Sequence, residues 1–256
     1  MRKILKNKPL IEAIFELRWE LQEIVPGIII DPNYKILVGR ISDKVKNDYP
    51  FYEQLPMARI PDDVAGYIVQ HRFRKSENKW PLIQVGPGII TLNDTDGYTW
   101  EDFEQRIHHL VNVLWETYPE AEANLKVNGL LLRYIDAVEF DYEKENIFEF
   151  LETKLKIRIA IYEKLFEETG VRNIPLGFDL RFSFPSQIPK GIIHLRFSRG
   201  KISNSDALVW ETQVQSLIDN SPNSKEQIFA WVKDAHELTD NWFFKLIEGD
   251  LLRRFE

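Results

Sequence analysis

The chain has no cysteine and only two methionines among its 256 residues. Without a thiol it can form neither a disulfide nor a thiolate metal site, and it has no cysteine nucleophile. This composition fits a reducing cytoplasm, where disulfides are rare. We therefore predict a cytoplasmic protein whose fold depends on its hydrophobic core rather than on covalent cross-links.

Long apolar runs are also missing near the N-terminus. Four of the first eight residues are basic, but the apolar segment that follows is interrupted by Glu12, Glu16, Arg18 and Glu20. It resembles neither a signal peptide nor a membrane span. The formal net charge of -7 gives no global attraction to nucleic acid or anionic lipid. We expect no membrane partner, and a polyanion site only where positive charge is local.

Aromatic residues, by contrast, are plentiful, with seven Trp, nine Tyr and sixteen Phe in a chain that is 44% hydrophobic. Such a composition argues against disorder and for wide sheet packing. The length is enough for one large domain or two small ones, because a chain of this size buries a substantial core.

Periodicity in the first half predicts alternating strands and helices. Along Leu10–Leu21 the apolar residues, from Ile11 and Ala13 to Leu21, alternate with charged ones, which is typical of a half-buried strand. Further strands are predicted at 67–75, at 81–93 with a bend at Gly86-Pro87-Gly88, and at 130–140. Helices are predicted at 34–47 and from a Thr99 cap to Tyr118. The resulting β-α-β-β-α-β order over residues 1–143 is ferredoxin-like.

The second half, residues 144–256, predicts the order α-β-β-β-α. Its first helix is capped by Asn146 and closes at Gly170, although alternation within Lys154–Ile161 also fits a strand or a distorted helix. Strands are predicted at 178–184, 191–199 and 207–215, and a last helix begins at Ser224. The two halves form separate domains or share one continuous sheet. The overall prediction is an α+β fold with an antiparallel sheet and helices mainly on one face.

Five predicted strands carry an arginine between apolar or aromatic residues. Because side chains alternate across a strand, these arginines share a face opposite the core. A guanidinium group suits phosphate or carboxylate, so this face is a candidate anion-binding surface. The alternative is a set of cross-strand ion pairs with Glu16, Asp179 and Glu211. The candidate residues are Arg18, Arg72, Arg133, Arg181, Arg196 and His194.

Established catalytic and metal-binding motifs are absent from the sequence. It contains no P-loop, no G-x-S-x-G and no G-x-G-x-x-G. His236-Glu237 differs from H-E-x-x-H because Asp240 replaces the second histidine, so we interpret His236 as a hydrogen-bonded structural residue. We predict no metal and no cofactor. Carboxylates are too numerous for a catalytic pair to be chosen; the strand-borne candidates are Glu16, Asp136, Glu139 and Glu211.

Several segments together resemble a sporadically distributed prokaryotic protein family of about this length. They are Pro9–Arg18, Tyr49-Pro50, Gln84-Val85, the Tyr98-x-Trp100-x-x-Phe103 helix start, Leu132–Asp136 and His236. The resemblance spans nearly the whole chain and implies no established activity, cofactor or catalytic residue. The sporadic distribution implies an association with mobile or defence loci.

Three functional hypotheses follow from these observations. The first is a non-enzymatic binding or interaction protein with a protein partner or self-association, because a well-patterned sheet occurs without catalytic motifs. The second is a nucleotide- or RNA-handling enzyme that uses the arginines around phosphate. The third is an obligate homo-oligomer whose contact is formed by Trp231, Trp242, Phe243 and Phe244.

Overall fold

The protein is described by a computed structural model that covers residues 5–95 and 97–256. Within these residues the chain forms eleven strands and six α-helices, which confirms the predicted α+β class. The strands are β1 (Leu10–Trp19), β2 (Gln22–Val25), β3 (Ile28–Ile30), β4 (Phe51–Gln54), β5 (His71–Arg74), β6 (Leu82–Gly86), β7 (Ile89–Asp94), β8 (Val127–Glu139), β9 (Asp179–Gln187), β10 (Lys190–Ile202) and β11 (Ser205–Ser216). The helices are α1 (Tyr34–Val45), α2 (Trp100–Thr117), α3 (Ala121–Asn124), α4 (Ile147–Leu155), α5 (Lys225–Leu246) and α6 (Asp250–Phe255).

In the described part of the chain, nine strands form one antiparallel sheet in the order β4-β5-β6-β7-β1-β8-β11-β10-β9, and β2 pairs with β3 separately. Strand β8 pairs with β1 on one side and β11 on the other, so strands from both halves belong to one sheet. The division at residue 143 stays a prediction. The ferredoxin-like label also stays one, since β4 was not predicted and the bent strand predicted at 81–93 is two strands, β6 and β7.

One face of the sheet is the core face, as the alternation in β1 predicted. Phe15, Leu17 and Trp19 are fully buried there and pack in a cluster with residues of α1, α2 and α5. Ile11 was predicted on the same side but is 43% exposed. The pairing with β8 shifts register between Leu10 and Glu12. Such a bulge adds a residue and reverses the alternation, which turns Ile11 outward.

The predicted helix caps of α2 and α4 are present. The Thr99 hydroxyl accepts a hydrogen bond from the backbone N–H of Asp102 (3.3 Å), and the Asn146 side chain accepts from Phe148 (2.9 Å) and Glu149 (3.3 Å). These bonds satisfy N–H groups that have no partner inside the first helical turn.

Ser224 caps α5 in the same way, through the backbone N–H of Gln227 (3.3 Å). The predicted start of this helix is therefore confirmed, and residues 144–256 follow the predicted α-β-β-β-α order with one further short helix, α6, after it.

The predicted extent of the helix after Asn146 is wrong. Helix α4 ends at Leu155, because Lys156 adopts a left-handed conformation (φ 59°) and the N–H of Ile157 bonds back to the carbonyl of Leu151 (2.9 Å). Ile157 and Ile159 then pack on a second core cluster around α4 and α6. The alternating isoleucines of 154–161 thus belong to irregular extended chain, which explains why their pattern was ambiguous.

The bend predicted at Gly86-Pro87-Gly88 is the tight turn that joins β6 to β7. A Cβ atom at Gly86 would lie 2.1 Å from the carbonyl oxygen of Ile68, and Gly88 has a φ of +75°. Both positions therefore require glycine, the first for close backbone approach and the second for its backbone conformation.

Each helix within residues 5–95 and 97–256 is too short or too polar to cross a lipid bilayer.

Candidate functional site

The predicted arginine-rich face is opposite the core face, and its positive charges are met by carboxylates. Arg196 bonds Asp179 through Nε (2.9 Å) and Glu211 through Nη1 (2.8 Å), while Arg181 bonds Asp179 (2.7 Å). Arg133 approaches the other Glu211 oxygen at 3.6 Å. The Arg181 and Arg196 guanidinium groups hold the pKa of Asp179 well below its usual range.

The remaining candidates on this face are also engaged. Arg72 bonds Gln84 (3.0 Å) and Glu53 (3.2 Å), and Arg18 bonds Glu16 (2.7 Å). His194 shares a hydrogen bond with Ser183 (2.8 Å).

Three of the six candidates, Arg133, Arg181 and Arg196, are linked to one another through shared carboxylates. Asp179 pairs with Arg181 and Arg196, and Glu211 pairs with Arg196 and Arg133. Arg72 lies on β5, away from the strands that carry these three, and Arg18 lies on β1 next to β8 but opposite Gly129 rather than Arg133. The pairing is the arrangement expected of cross-strand ion pairs, and anion binding by this face stays a prediction.

A second candidate site is a pocket on the core face of about 200 Å³. It lies where the two core clusters meet, next to Trp242, which packs against both. Its lining comes from the N-terminal segment, the start of α2, strands β8 and β11, and helix α5. The residues are Leu5, Lys8, Pro9, Leu10, Tyr98, Thr99, Trp100, Glu101, Tyr134, Asp136, Thr212, His236, Thr239, Asp240, Phe243 and Phe244.

Aromatic side chains linked by stacking and hydrogen bonds form one wall of this pocket. The Trp100 indole and the His236 imidazole stack with ring centroids 3.7 Å apart and planes within 6° of parallel. The Tyr98 hydroxyl donates to the Tyr134 hydroxyl (3.0 Å), which shares a hydrogen bond with His236 Nδ1 (2.9 Å). These contacts fix the rings, so the wall is preorganised rather than assembled by a ligand.

Four polar side chains of the pocket lining are buried, those of Asp136, Thr212, His236 and Thr239. Asp136 is 3% exposed and Thr212 is 2% exposed. Within residues 5–95 and 97–256, the structure gives Asp136 no hydrogen bond or ion pair, and the Thr212 hydroxyl has no hydrogen-bond partner. Burial raises the pKa of Asp136 to about 8, because the charged form is poorly solvated there. The carboxyl group is therefore largely protonated at neutral pH.

Strand pairing brings these two groups together. Asp136 lies opposite Trp210, and Tyr134 lies opposite Thr212, on adjacent antiparallel strands. Because neighbours two apart in a strand share a face, all four residues belong to the core face. The packing of α5 over β8 and β11 then encloses this part of the sheet.

Helical spacing places the α5 residues of the pocket on one stripe. His236, Thr239, Asp240 and Phe243 recur at i, i+3, i+4 and i+7, which is one face of an α-helix. The interpretation of His236 as a hydrogen-bonded histidine agrees with its bond to Tyr134.

The four aromatic residues of the predicted oligomer contact are packed within the chain. Trp231 is buried, and Trp242, Phe243 and Phe244 are half-buried. Phe243 and Phe244 line the pocket, so these two aromatic side chains contribute to a site within the chain. Within the described residues no cluster of three His, Asp or Glu side chains could hold a metal ion.

The sequence interpretation did not single out this pocket, although one signal was present. Along β8 the core-face residues are Leu130, Leu132, Tyr134 and then Asp136, so a carboxyl group interrupts an apolar alternation. Thr212 likewise falls between Trp210 and Val214. A polar residue on a predicted core face indicates a buried polar group, and such groups mark a site when they lack partners.

Comparison with known proteins gives no family assignment: no family model matches the chain, and no curated protein matches it. A solved structure with some likeness is the di-domain ARO/CYC StfQ from the steffimycin biosynthetic pathway. The alignment covers 95% of this chain and 99% of that one, at 8% identity and a TM-score of 0.21. A likeness of this strength supports no statement about function.

Proposed function

We propose that the protein is a binding protein for a small organic molecule, which occupies the pocket between α5 and strands β8 and β11. The observation that carries this proposal is a preformed, mainly apolar pocket in which two of the buried polar side chains, Asp136 and Thr212, have no side-chain hydrogen-bond partner in the described residues. Buried polar groups are nearly always hydrogen-bonded, so a ligand that pairs with them relieves a cost of about 1–3 kcal/mol per group.

The size of the pocket limits the ligand. Small-molecule pockets usually enclose about 300–1,000 Å³. At about 200 Å³ this one accepts a single ring or a short branched chain. Mostly apolar walls with a few convergent polar groups are the usual composition of such sites, in which the apolar walls supply affinity and the polar groups fix orientation.

The same geometry supports binding rather than turnover. Asp136 is mainly protonated at neutral pH, so it is a poor general base there. No cysteine is present, and the hydroxyl of Thr212 has no hydrogen-bonded base in the described residues. An activated nucleophile needs such a base, so the nucleophile-base arrangement of covalent catalysis is missing from the described part of the pocket.

A ligand screen monitored by NMR tests this function. We expect some one-ring compounds to shift amide resonances of β8, β11 and α5. Leu10→Trp places a larger ring at a half-buried position in the pocket lining and should abolish the shifts. Ile11→Trp is the matched control, because Ile11 is exposed beside it. Equal shifts in both variants, or steady conversion of a bound compound to product, would contradict a binding role.

A second candidate function is self-association through the β2–β3 hairpin. Four apolar side chains are 38–54% exposed on this hairpin: Ile24, Val25, Ile28 and Ile29. An exposed apolar cluster of this kind is typical of an interface, and a second copy of the chain is the occupant that we propose. Light scattering at micromolar concentration should show a dimer that Ile24→Ser with Ile29→Ser converts to a monomer. A monomeric parent protein would end this candidate.

A cytoplasmic location and an association with mobile or defence loci accompany the binding role as proposals. They rest on the absence of cysteine and on the family resemblance of the sequence, respectively.

A further inference from the structure

Asp136 presents a neutral carboxyl group to the pocket. Its side chain is 3% exposed and has no hydrogen-bond or ion-pair partner among residues 5–95 and 97–256. A buried carboxylate without a counter-charge or hydrogen bonds is costly, so such a group takes up a proton instead. The pKa of Asp136, which burial raises to about 8, agrees with this reasoning. At neutral pH the group therefore offers one O–H donor and one carbonyl acceptor to a ligand.

The basic side chain of Lys8, which also lines the pocket, is engaged elsewhere. It is exposed, and its ammonium group donates a hydrogen bond to the backbone carbonyl of Tyr98 (2.5 Å). A ligand that brought a charge of either sign to Asp136 would have to bury that charge, which is unfavourable. The surroundings of Asp136 therefore favour a neutral polar group.

Thr212 supplies a second hydrogen-bonding group beside Asp136. Its hydroxyl is buried, and no described residue bonds it. Thr212 lies opposite Tyr134 on the adjacent strand, so it is the diagonal neighbour of Asp136 on the same face. Diagonal neighbours are about 7–8 Å apart, a separation that one polar group of a ligand can bridge.

A primary carboxamide matches both groups at once. Its C=O and one N–H lie on the same edge, so it can accept from the O–H of a carboxyl group and donate to the carbonyl of that group in a closed pair. Its second N–H points away from this edge and can donate to the hydroxyl oxygen of Thr212. A ketone or an ester offers acceptors alone and would leave the carbonyl of Asp136 unpaired.

The aromatic wall suits a planar ring next to that amide. Trp100, Phe243 and Phe244 line the pocket, and aromatic rings pack favourably in offset-stacked or edge-to-face arrangements. The volume of about 200 Å³ accepts one ring, so an amide attached directly to the ring fits better than a longer molecule.

We propose that the ligand of this pocket is a neutral aromatic carboxamide, whose amide group forms a closed pair with the carboxyl group of Asp136 and donates to Thr212 while its ring lies against the aromatic wall. This inference rests on the proposed binding function and specifies its ligand class.

Benzamide, acetophenone and benzoate provide the test, because they share one ring and have the same number of non-hydrogen atoms. Benzamide is a neutral donor and acceptor, acetophenone is a neutral acceptor, and benzoate is an anion. At about pH 7, calorimetry should show benzamide binding about tenfold more tightly than acetophenone, as two further hydrogen bonds would give. Benzoate should bind more weakly than acetophenone, because its charge would be buried. Single-ring ligands bind weakly, so titrations should extend to the millimolar range.

Benzamide affinity should depend on pH with a defined sign. The closed pair requires the proton on Asp136, whose pKa is about 8 in the empty pocket. Affinity should therefore be about tenfold lower at about pH 9 than at about pH 7. The other titratable groups facing this site are Lys8, Tyr98, Glu101, Tyr134, His236 and Asp240.

Two variants of Asp136 separate its role from those groups. Asp136→Asn replaces the carboxyl group by an amide, which can form the same closed pair and does not titrate, so benzamide affinity should stay within about threefold of the parent at about pH 7. The fall in affinity towards about pH 9 should disappear in this variant. Asp136→Leu keeps a similar shape without polar atoms and should abolish the preference for benzamide over acetophenone.

Thr212→Val tests the second hydrogen bond. It should weaken benzamide binding by about three- to tenfold, the usual effect of one lost hydrogen bond. Acetophenone has no N–H to donate, so its affinity should be nearly the same in this variant and in the parent.

The outcomes separate this inference from the function on which it rests. Acetophenone, benzoate or benzylamine binding as tightly as benzamide, or a preference for benzamide that persists in Asp136→Leu, would overturn the amide assignment and leave the binding function standing. Benzamide affinity that rises above about pH 8 would do the same. Failure of all these compounds to bind at millimolar concentration, by calorimetry and by NMR, would overturn both.

Discussion

The Trp100 indole and the His236 imidazole lie face to face, with centroids 3.7 Å apart. Trp100 is the first residue of α2 and His236 is in the middle of α5, so this single contact joins two helices at the edge of the pocket. The same imidazole shares a hydrogen bond with Tyr134 on β8. His236 therefore links both helices to the sheet.

This linkage predicts the effect of changing His236. His236→Ala removes the stack and the hydrogen bond, and we expect the free energy of unfolding to fall by about 1–3 kcal/mol. His236→Phe keeps a ring against Trp100 and loses only the hydrogen bond. Its free energy of unfolding should therefore lie between those of the parent and His236→Ala. Urea denaturation measures all three proteins. A change below about 0.5 kcal/mol in the alanine variant would show that the linkage does not contribute to stability.

Asp136 should reduce stability as pH rises. Its folded-state pKa of about 8 lies above the unfolded value of about 3.9, so the native state binds the proton more tightly. Its contribution to the free energy of unfolding is largest below about pH 4. The contribution is lost progressively as the pH rises to about 8, and the loss at pH 7 is at most about 4 kcal/mol. Asp136→Asn should be more stable than the parent at neutral pH, and the difference should shrink towards pH 4. A difference independent of pH would contradict the raised pKa.

Leu17 tests the assignment of the core face. Because it is fully buried in β1, Leu17→Ala should lower the free energy of unfolding by about 2–5 kcal/mol. Ile11→Ala is the control on the same strand, and it should cost less than about 1 kcal/mol since Ile11 faces solvent beyond the bulge. Chemical denaturation of both variants gives the comparison; similar losses would mean that the bulge is misplaced.

Asp179, in contrast to Asp136, should stabilise the fold at neutral pH and lose this contribution in acid. The Arg181 and Arg196 guanidinium groups depress its pKa, so its contribution is present above the unfolded value of about 3.9 and is lost as pH falls below it. Asp179→Asn should differ from the parent at about pH 5 and converge with it in stronger acid. Denaturation midpoints of the two proteins across this pH range measure the effect. A difference in midpoint that stays the same at every pH would contradict the depressed pKa of Asp179.

The paired arginines predict no binding of polyanions. A fluorescent single-stranded RNA should not bind the parent protein in low-salt buffer, where phosphate contacts are strongest. Arg133→Gln combined with Arg181→Gln should leave that result unchanged, because both side chains already face carboxylates. Saturable RNA binding that weakens steeply with salt and disappears in the double variant would favour the nucleic-acid hypothesis instead.

The alternation of β1 and the caps at Thr99, Asn146 and Ser224 could be predicted because they depend on neighbours a few residues away. The end of α4 could not, since it is set by the left-handed Lys156 and by packing of Ile157 and Ile159 on a distant cluster. The hairpin β2–β3 was missed because its apolar residues do not alternate.

The pocket also could be predicted only in part from local sequence patterns. Asp136 interrupts an apolar face, which is a local signal that a sequence can reveal. Its neighbours come from places far apart in the chain, including Lys8, Tyr98 and His236. Their meeting depends on the order of strands in the sheet and on where α5 packs, and neither is encoded in local periodicity.

Two segments far apart in the sequence contribute to this pocket, residues 5–10 and 236–244. During synthesis the N-terminal wall is therefore made first, and the site is completed only when most of the chain has been translated. A truncation after β8 would leave Asp136 without β11 and α5, exposed to water and able to ionise. The proposed ligand binding would therefore require the folded chain as a whole, and a bound ligand would favour the state in which both segments are docked, so it should protect residues 5–10 and 236–244 together from proteolysis.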